Sequence, residues 1–148
     1  MHVFKMRIKT QGSIKKTQLL CAFVLEDSNK ITGLPKFDTK TSSSINQSLK
    51  DMRGKLGKLT IIPISGKKQA QRILLAGIGK KENMTNDTIR FVSGKIAQKA
   101  RELQLKEFSI ITPPTFVCDS ILSVSQIIEG SKMSLYKFEK FKTEKTNK

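Results

Sequence analysis

A chain of 148 residues has the length of one domain with one core, and its 37% hydrophobic residues gather into short runs (LLCAFVL, LTIIPI, ILLAGIG, FSIIT) that exclude global disorder. The longest apolar stretch, Leu19–Leu25, is far shorter than the roughly 18 residues of a membrane-spanning helix, and the charged start MHVFKMRIKT has no signal-peptide core, so a cytoplasmic protein without a membrane partner is expected. With 28 Lys and Arg against 12 Asp and Glu, the net charge of +16 is spread along the whole chain; it favours contact with nucleic acid or other polyanions, with an acidic partner domain or simple solubility as equal alternatives.

His2–Ile8 alternates, with Val3, Phe4, Met6 and Ile8 set against Lys5 and Arg7, and predicts a half-exposed strand. Leu19–Leu25 is continuously apolar, as a strand covered on both faces must be, and is expected beside the first in one sheet. Glu26–Lys36, with Asp27, Ser28, Asn29, Gly33 and Pro35, reads as a loop. Thr41–Met52 places Ile45, Leu49 and Met52 at helical spacing, with Gly54 or Gly57 as its end.

Lys58–Ile64 and Arg72–Ala76 read as adjacent strands. After Gly77-Ile78-Gly79-Lys80-Lys81, a long helix opens at Thr85 with Asp87 in its first turn; Ile89, Val92, Ile96, Ala100 and Leu103 form one stripe. Lys106–Thr112 predicts a strand closed by Pro113-Pro114. Asp119 or Ser120 caps a last helix with Ile121, Val124, Ile128 and Leu135 on one side, and Gly130 and Ser131 small enough for close packing. The order β-β-α-β-β-α-β-α predicts an α/β fold: a mixed, mostly parallel sheet with helices on both faces. Residues 1–142 read as a single domain and 143–148 as a flexible tail or the start of an interdomain linker.

The residues name no catalytic group and no metal ligand. Metal-dependent hydrolysis needs carboxylates or imidazoles converging on one point; His2 is the only histidine, and the acids are scattered among basic residues. Cys21 and Cys118 lie in apolar neighbourhoods, with no histidine base other than His2 and no paired spacing, and read as buried free thiols.

Two stretches are candidates for binding. Gly77, Gly79, Lys80 and Lys81 stand between a strand and a helix, where glycines let amides approach an anion and lysines favour its charge. The stretch lacks the third glycine of a dinucleotide fingerprint and the Ser/Thr of a P-loop, so a tight turn is the competing reading. Farther on, Lys132, Lys137, Lys140 and Lys142 interleave with Tyr136, Phe138 and Phe141, a pattern in which rings stack bases while lysines neutralise phosphates. The competing reading there is that the rings finish the core.

Three stretches in order resemble the N-terminal domain of the leucyl aminopeptidase (M17) family: Arg72–Glu82 with its glycine pair, the helix from Met84-Thr85 through Ile89 to Ala100, and Glu129–Lys142, EGSKMSLYKFEKFK. Val24–Asp27 with Ile31–Gly33, and Gly57–Pro63, are similar to it as well, so the resemblance covers nearly the whole chain. It implies a macro-domain-like fold, a partner in the aminopeptidase catalytic domain or a homo-oligomer, and a role in assembling or shielding a hexameric peptidase. Some bacterial members of that family bind DNA. The family's two divalent metals would sit in a larger C-terminal domain, reached through a linker that would begin at Lys148. No cofactor is therefore expected in this chain, and the family's Asn-Thr-Asp-Ala-Glu-Gly-Arg-Leu run has no counterpart in it. By analogy of fold, a nucleotide of the ADP-ribose kind in a macro-like cleft is a third reading.

Overall fold

The computed structural model describes residues 15–27, 31, 33–64, 70–113 and 119–146, with Asn86, Ser120 and 136–146 as backbone only. The predicted strand His2–Ile8, Cys118 and the tip of the Glu26–Lys36 loop lie outside the described residues. The elements are β1 (Thr17–Leu25), α1 (Thr39–Met52), β2 (Leu59–Pro63), β3 (Ala70–Gly79), a 3₁₀ turn at Lys81–Asn83, α2 (Asn86–Glu102), β4 (Ser109–Ile110) and α3 (Ser120–Thr146). They build one sheet in the order β2-β3-β1-β4. β1 runs parallel to β3 and β4, and only β2 is antiparallel, against β3.

The continuous apolar run of β1 is explained by its place between two packed faces. Leu20, Ala22 and Val24 point, with Ile73 and Leu75 of β3, towards Ile45, Leu49 and Met52 of α1. Leu19, Cys21 and Phe23, with Leu74, Ala76 and Ile78, point towards Ile89, Val92, Ile96 and Ala100 of α2. Helices thus cover both faces of a mixed, mostly parallel sheet. Each fully buried Leu or Ile in these layers contributes about 2 kcal/mol.

The helix ends follow from local chemistry. Asp38 caps α1 by accepting from Thr41 N at 2.9 Å, and the helix stops at Arg53, which turns left-handed (φ 55°) just ahead of Gly54 (φ 66°). Thr85 caps α2 in a box with Thr88, whose hydroxyl accepts from Thr85 N at 3.0 Å. Asp87 in the first turn and Lys99 and Arg101 in the last match the helix dipole. Asp119 opens α3, its carboxylate accepting from Ile121 N and Leu122 N.

Two expectations need correction. The strand predicted over Lys106–Thr112 shrinks to Ser109–Ile110, because the Gln18 side-chain carbonyl accepts from Lys106 N (2.7 Å) and Glu107 N (3.1 Å) and holds the chain in a turn there. The stripe predicted to face inward from the last helix is rotated. Leu135 is buried and Val124 and Ile128 are half-buried, but Ile121 is 84% exposed; the inward face is Ser123, Gln126, Gly130, Ser131 and Ser134. The cause is close packing on α2: a Cβ on Gly130 would fall 2.0 Å from Arg90 O, so nothing larger than glycine fits at that point. The backbone of α3 continues to Thr146, into the stretch expected as a tail. Among the described residues, no helix is long and apolar enough to cross a membrane.

Candidate functional site

The most elaborate backbone lies at the carboxyl ends of β1 and β3, where ligands of open α/β sheets commonly sit. Gly77 and Gly79, expected in a strand-to-helix turn, are instead the buried last residues of β3. Segment 53–58 folds over them. Gly77 N donates to Lys58 O (2.9 Å) and Gly79 N to Gly54 O (3.0 Å), while the carbonyls of Gly77 and Gly79 accept from Gly57 N and Glu26 N, each at 2.9 Å. The approach is so close that a Cβ on Gly77 would meet Lys55 O at 2.0 Å. Gly54, Gly57 and Gly79 all take positive φ, as do Arg53 and Asp27, whose N–H donates to Arg53 O.

This geometry decides what the glycines do. Their amides are the donors an anion cradle would use, and both are engaged by the chain's own carbonyls. Lys80 and Lys81 stand exposed beyond the strand. The N-cap of α2, Thr85, is six residues past Gly79, and the helix start is satisfied by its own capping box. The structure therefore brings Gly77 and Gly79 together with Arg53–Lys58, a segment whose sequence announces the end of one helix and the start of the next strand and no contact with these glycines. The Gly54-x-x-Gly57 spacing among Arg53, Lys55 and Lys58 was the available signal.

Beside this corner lies an exposed pair. Leu56 is 56% and Phe91 51% exposed, and the Phe91 ring edge borders Gly57. Lys95 bridges Gly57 and Phe91: its Nζ donates to Gly57 O at 3.4 Å and lies 5.5 Å from the centre of the Phe91 ring. Neither residue stood out in the sequence, since Leu56 is a lone apolar residue between Lys55 and Gly57 and Phe91 falls outside the apolar stripe of α2.

Of the second candidate, Lys132 is exposed on α3 beside Met133. Tyr136, Lys137, Phe138, Lys140, Phe141 and Lys142 belong to the backbone of α3, and their side chains lie outside the described residues. The described carboxylates Asp87, Glu129 and Glu102 are held in exposed ion pairs, the first two with Arg90 and the third with Lys99. Among the described residues no three His, Cys, Asp or Glu side chains come together in a way that fits a metal ion, so no step through a metal is derived for this chain. Cys21 is fully buried, and loss of solvation pushes its thiol pKa well above the ordinary value of 9.0, which keeps it a neutral thiol and a poor nucleophile.

The model of the N-terminal domain of the cytosol aminopeptidase family matches residues 21–145, from the middle of β1 to the last turn of α3. The chain belongs to this family. The cytosol aminopeptidase relatives include a "Probable cytosol aminopeptidase" of Cenarchaeum symbiosum, 32% identical over 133 residues, covering 88% of this chain and 26% of the relative. The protein of the same description from Sulfurihydrogenibium is 31% identical over the same shares, and that from Rickettsia canadensis 25% identical over 90% of this chain and 28% of its own length. This cytosol aminopeptidase N-terminal domain thus spans about a quarter of the curated relatives it matches. Among solved structures, the macrodomain of Mycobacterium tuberculosis DarG superposes with a TM-score of 0.61 at 11% identity, over 84% of this chain and 88% of that one. The fold is therefore macro-domain-like.

Proposed function

We propose that this domain is a non-catalytic N-terminal part of a metal-dependent leucyl aminopeptidase, that it serves assembly or shielding of the peptidase in the cytoplasm, and that it is inactive alone. The observation that supports the reading is the family match across residues 21–145 in a chain that spans about a quarter of its relatives. Its partner is then the aminopeptidase catalytic domain or further copies of the same assembly, and the two divalent metals belong to that catalytic domain. Two measurements test it. The chain releases no leucine from a leucyl-anilide substrate with manganese or zinc, and it co-elutes with a cytosol aminopeptidase catalytic domain in gel filtration; hydrolysis above background, or separate elution, sinks the reading.

A second reading, a nucleic-acid-binding module, is supported by the net charge of +16 and by the lysine and aromatic sequence from Lys132 to Lys142. Phosphate contacts make such binding steeply salt-dependent. A titration with duplex and single-stranded DNA over a salt series tests it, and absence of binding at low salt removes it. An ADP-ribose-like ligand has only the fold in its support, and with the Gly77 and Gly79 amides engaged, calorimetry with ADP-ribose is expected to show no heat.

A further inference from the structure

The exposed pair Leu56 and Phe91 plays no part in the reading above. The two residues come from a loop and a helix that meet at Gly57, whose own Cβ position would lie 3.5 Å from Phe91 Cε2 and from Lys95 Cε and Nζ. Leu56 also packs by its backbone and Cβ over Gly79, so its position is set by the end of β3. The Lys95 ammonium, held between Gly57 O and the Phe91 ring, fixes that ring against the loop. The result is an apolar pair presented to solvent on rigid supports.

The surround of this pair is cationic on balance. The contributing segments 53–58, 79–82 and 91–95 carry Arg53, Lys55, Lys58, Lys80, Lys81 and Lys95 against a single carboxylate, Glu82. Glu26 and Asp27 join the same corner through their N–H groups, which donate to Gly79 O and Arg53 O, so three carboxylates stand against six cations there; Asp87 is occupied by Arg90. An apolar centre with an aromatic anchor inside a charged rim is the usual build of a protein docking surface, and complementary charge selects the partner.

We propose that Leu56 and Phe91, within the cationic rim of Arg53, Lys55, Lys58, Lys80 and Lys95, form a docking surface for an acidic polypeptide segment that carries apolar side chains. A protein segment is favoured over nucleic acid because the centre includes an aliphatic side chain, which offers no ring for a base to stack on, and because Lys95 already occupies the Phe91 ring. The surface is a property of this chain and does not depend on the peptidase reading.

The test uses the full chain and three labelled probes followed by fluorescence anisotropy: a glutamate-rich peptide with leucine and phenylalanine at its centre, an all-glutamate peptide of equal length, and a single-stranded DNA. The apolar acidic peptide is expected to bind most tightly among the peptides, with affinity falling as salt rises. Phe91→Ala and Leu56→Ser each weaken it by about tenfold, as loss of an interface anchor does, while the all-glutamate peptide is indifferent to both. Lys55→Glu with Lys58→Glu abolishes both peptides. Both apolar positions are half exposed, so the melting temperature of each variant is expected to stay with the parent; if Phe91→Ala lowers it, Leu56→Ser alone decides. Equal binding of the two peptides, indifference of the apolar peptide to Leu56→Ser, or loss of DNA binding alone in the variants overturns the proposal.

Discussion

Gly130 of α3 lies directly on the backbone of Arg90 in α2, with room for a hydrogen and for nothing larger: a Cβ there would stand 2.0 Å from the Arg90 carbonyl oxygen. The Arg90 side chain completes the contact, its Nε and Nη2 donating to the Glu129 carboxylate at 3.0 Å. Gly94 is looser, since its Cβ would meet Gly130 O and Ser134 Cβ at 3.2 Å.

The two glycines should therefore respond differently to alanine. Alanine gains about 1 kcal/mol of helix propensity at either site. At position 94 that gain roughly offsets a shift of a few tenths of an ångström, and stability is expected within about 1 kcal/mol of the parent. At position 130 the contact is with backbone that cannot yield, so Gly130→Ala is expected to destabilise by about 2 kcal/mol or more. Urea unfolding of the two variants checks the order, and equal effects would refute the account.

Gly77→Ala meets a second such contact, against Lys55 O, and severs the corner where segment 53–58 folds over β3. A loss of about 3 kcal/mol is expected by equilibrium unfolding, since both the overlap and the Lys58 O and Gly57 N bonds are disturbed. Gly79→Ala is expected to be milder, its Cβ meeting Leu56 Cβ at 3.4 Å, with the left-handed φ of 78° costing about 1 kcal/mol.

Cys21 gives the pH dependence. Its thiol pKa is raised in the folded state, so between the unfolded value near 9.0 and the folded value the native state holds a proton that the unfolded state has lost. Its stabilising effect is complete below that unfolded value and fades as pH rises above it, at up to about 1.4 kcal/mol per pH unit. Unfolding of a Cys118→Ser variant from pH 8 to 10 should show this slope, and Cys21→Ala in the same background should lack it. The folded Cys118→Ser protein should also leave a thiol reagent unconsumed at pH 8.

Gln18 makes a bond pattern that no pattern of hydrophobicity announces. Its side-chain oxygen takes two backbone amides across the sheet edge, at Lys106 and Glu107. Gln18→Leu keeps the volume but strands both donors; because they lie near solvent, the loss is expected at about 1 kcal/mol. Amide exchange at residues 106 and 107 should quicken markedly, and unchanged exchange there would contradict the assignment.

These cases show where the sequence was legible. The stripe of α2, the caps at Thr85 and Asp119 and the doubly covered β1 were readable because periodicity and capping are local. The pairing of β2 with β3 and the mixed, mostly parallel sheet followed from the apolar runs, and the family from Arg72–Glu82, the helix after it and Glu129–Lys142; the order β2-β3-β1-β4, with β1 beside β3, did not, because it joins segments some 50 positions apart. The role of the glycine pair of β3 did not follow either: a glycine signals freedom, and only the approach of Lys55 O shows that at Gly77 it is close contact rather than a turn that demands it. Likewise the inward face of α3 could not be read from its Ile and Val spacing, because the partner at Arg90 and Gly94 admits small residues whatever their polarity. The Leu56–Phe91 pair is a meeting of segments some 35 positions apart, which no window along the chain contains.

The hydroxyls of Ser93 in α2 and Ser134 in α3, and both polar atoms of the Gln126 amide in α3, are buried without a hydrogen-bond partner among the described residues. A joint of this composition discriminates by volume and hardly at all by polarity. Ser93→Ala and Ser134→Ala, which remove an unmatched hydroxyl and add no bulk, should be accepted or should even raise the melting temperature. A longer side chain at Gly94 or Gly130 would instead pry the last helix from its neighbour, so drift in sequence at these two contact points is confined to the smallest residues.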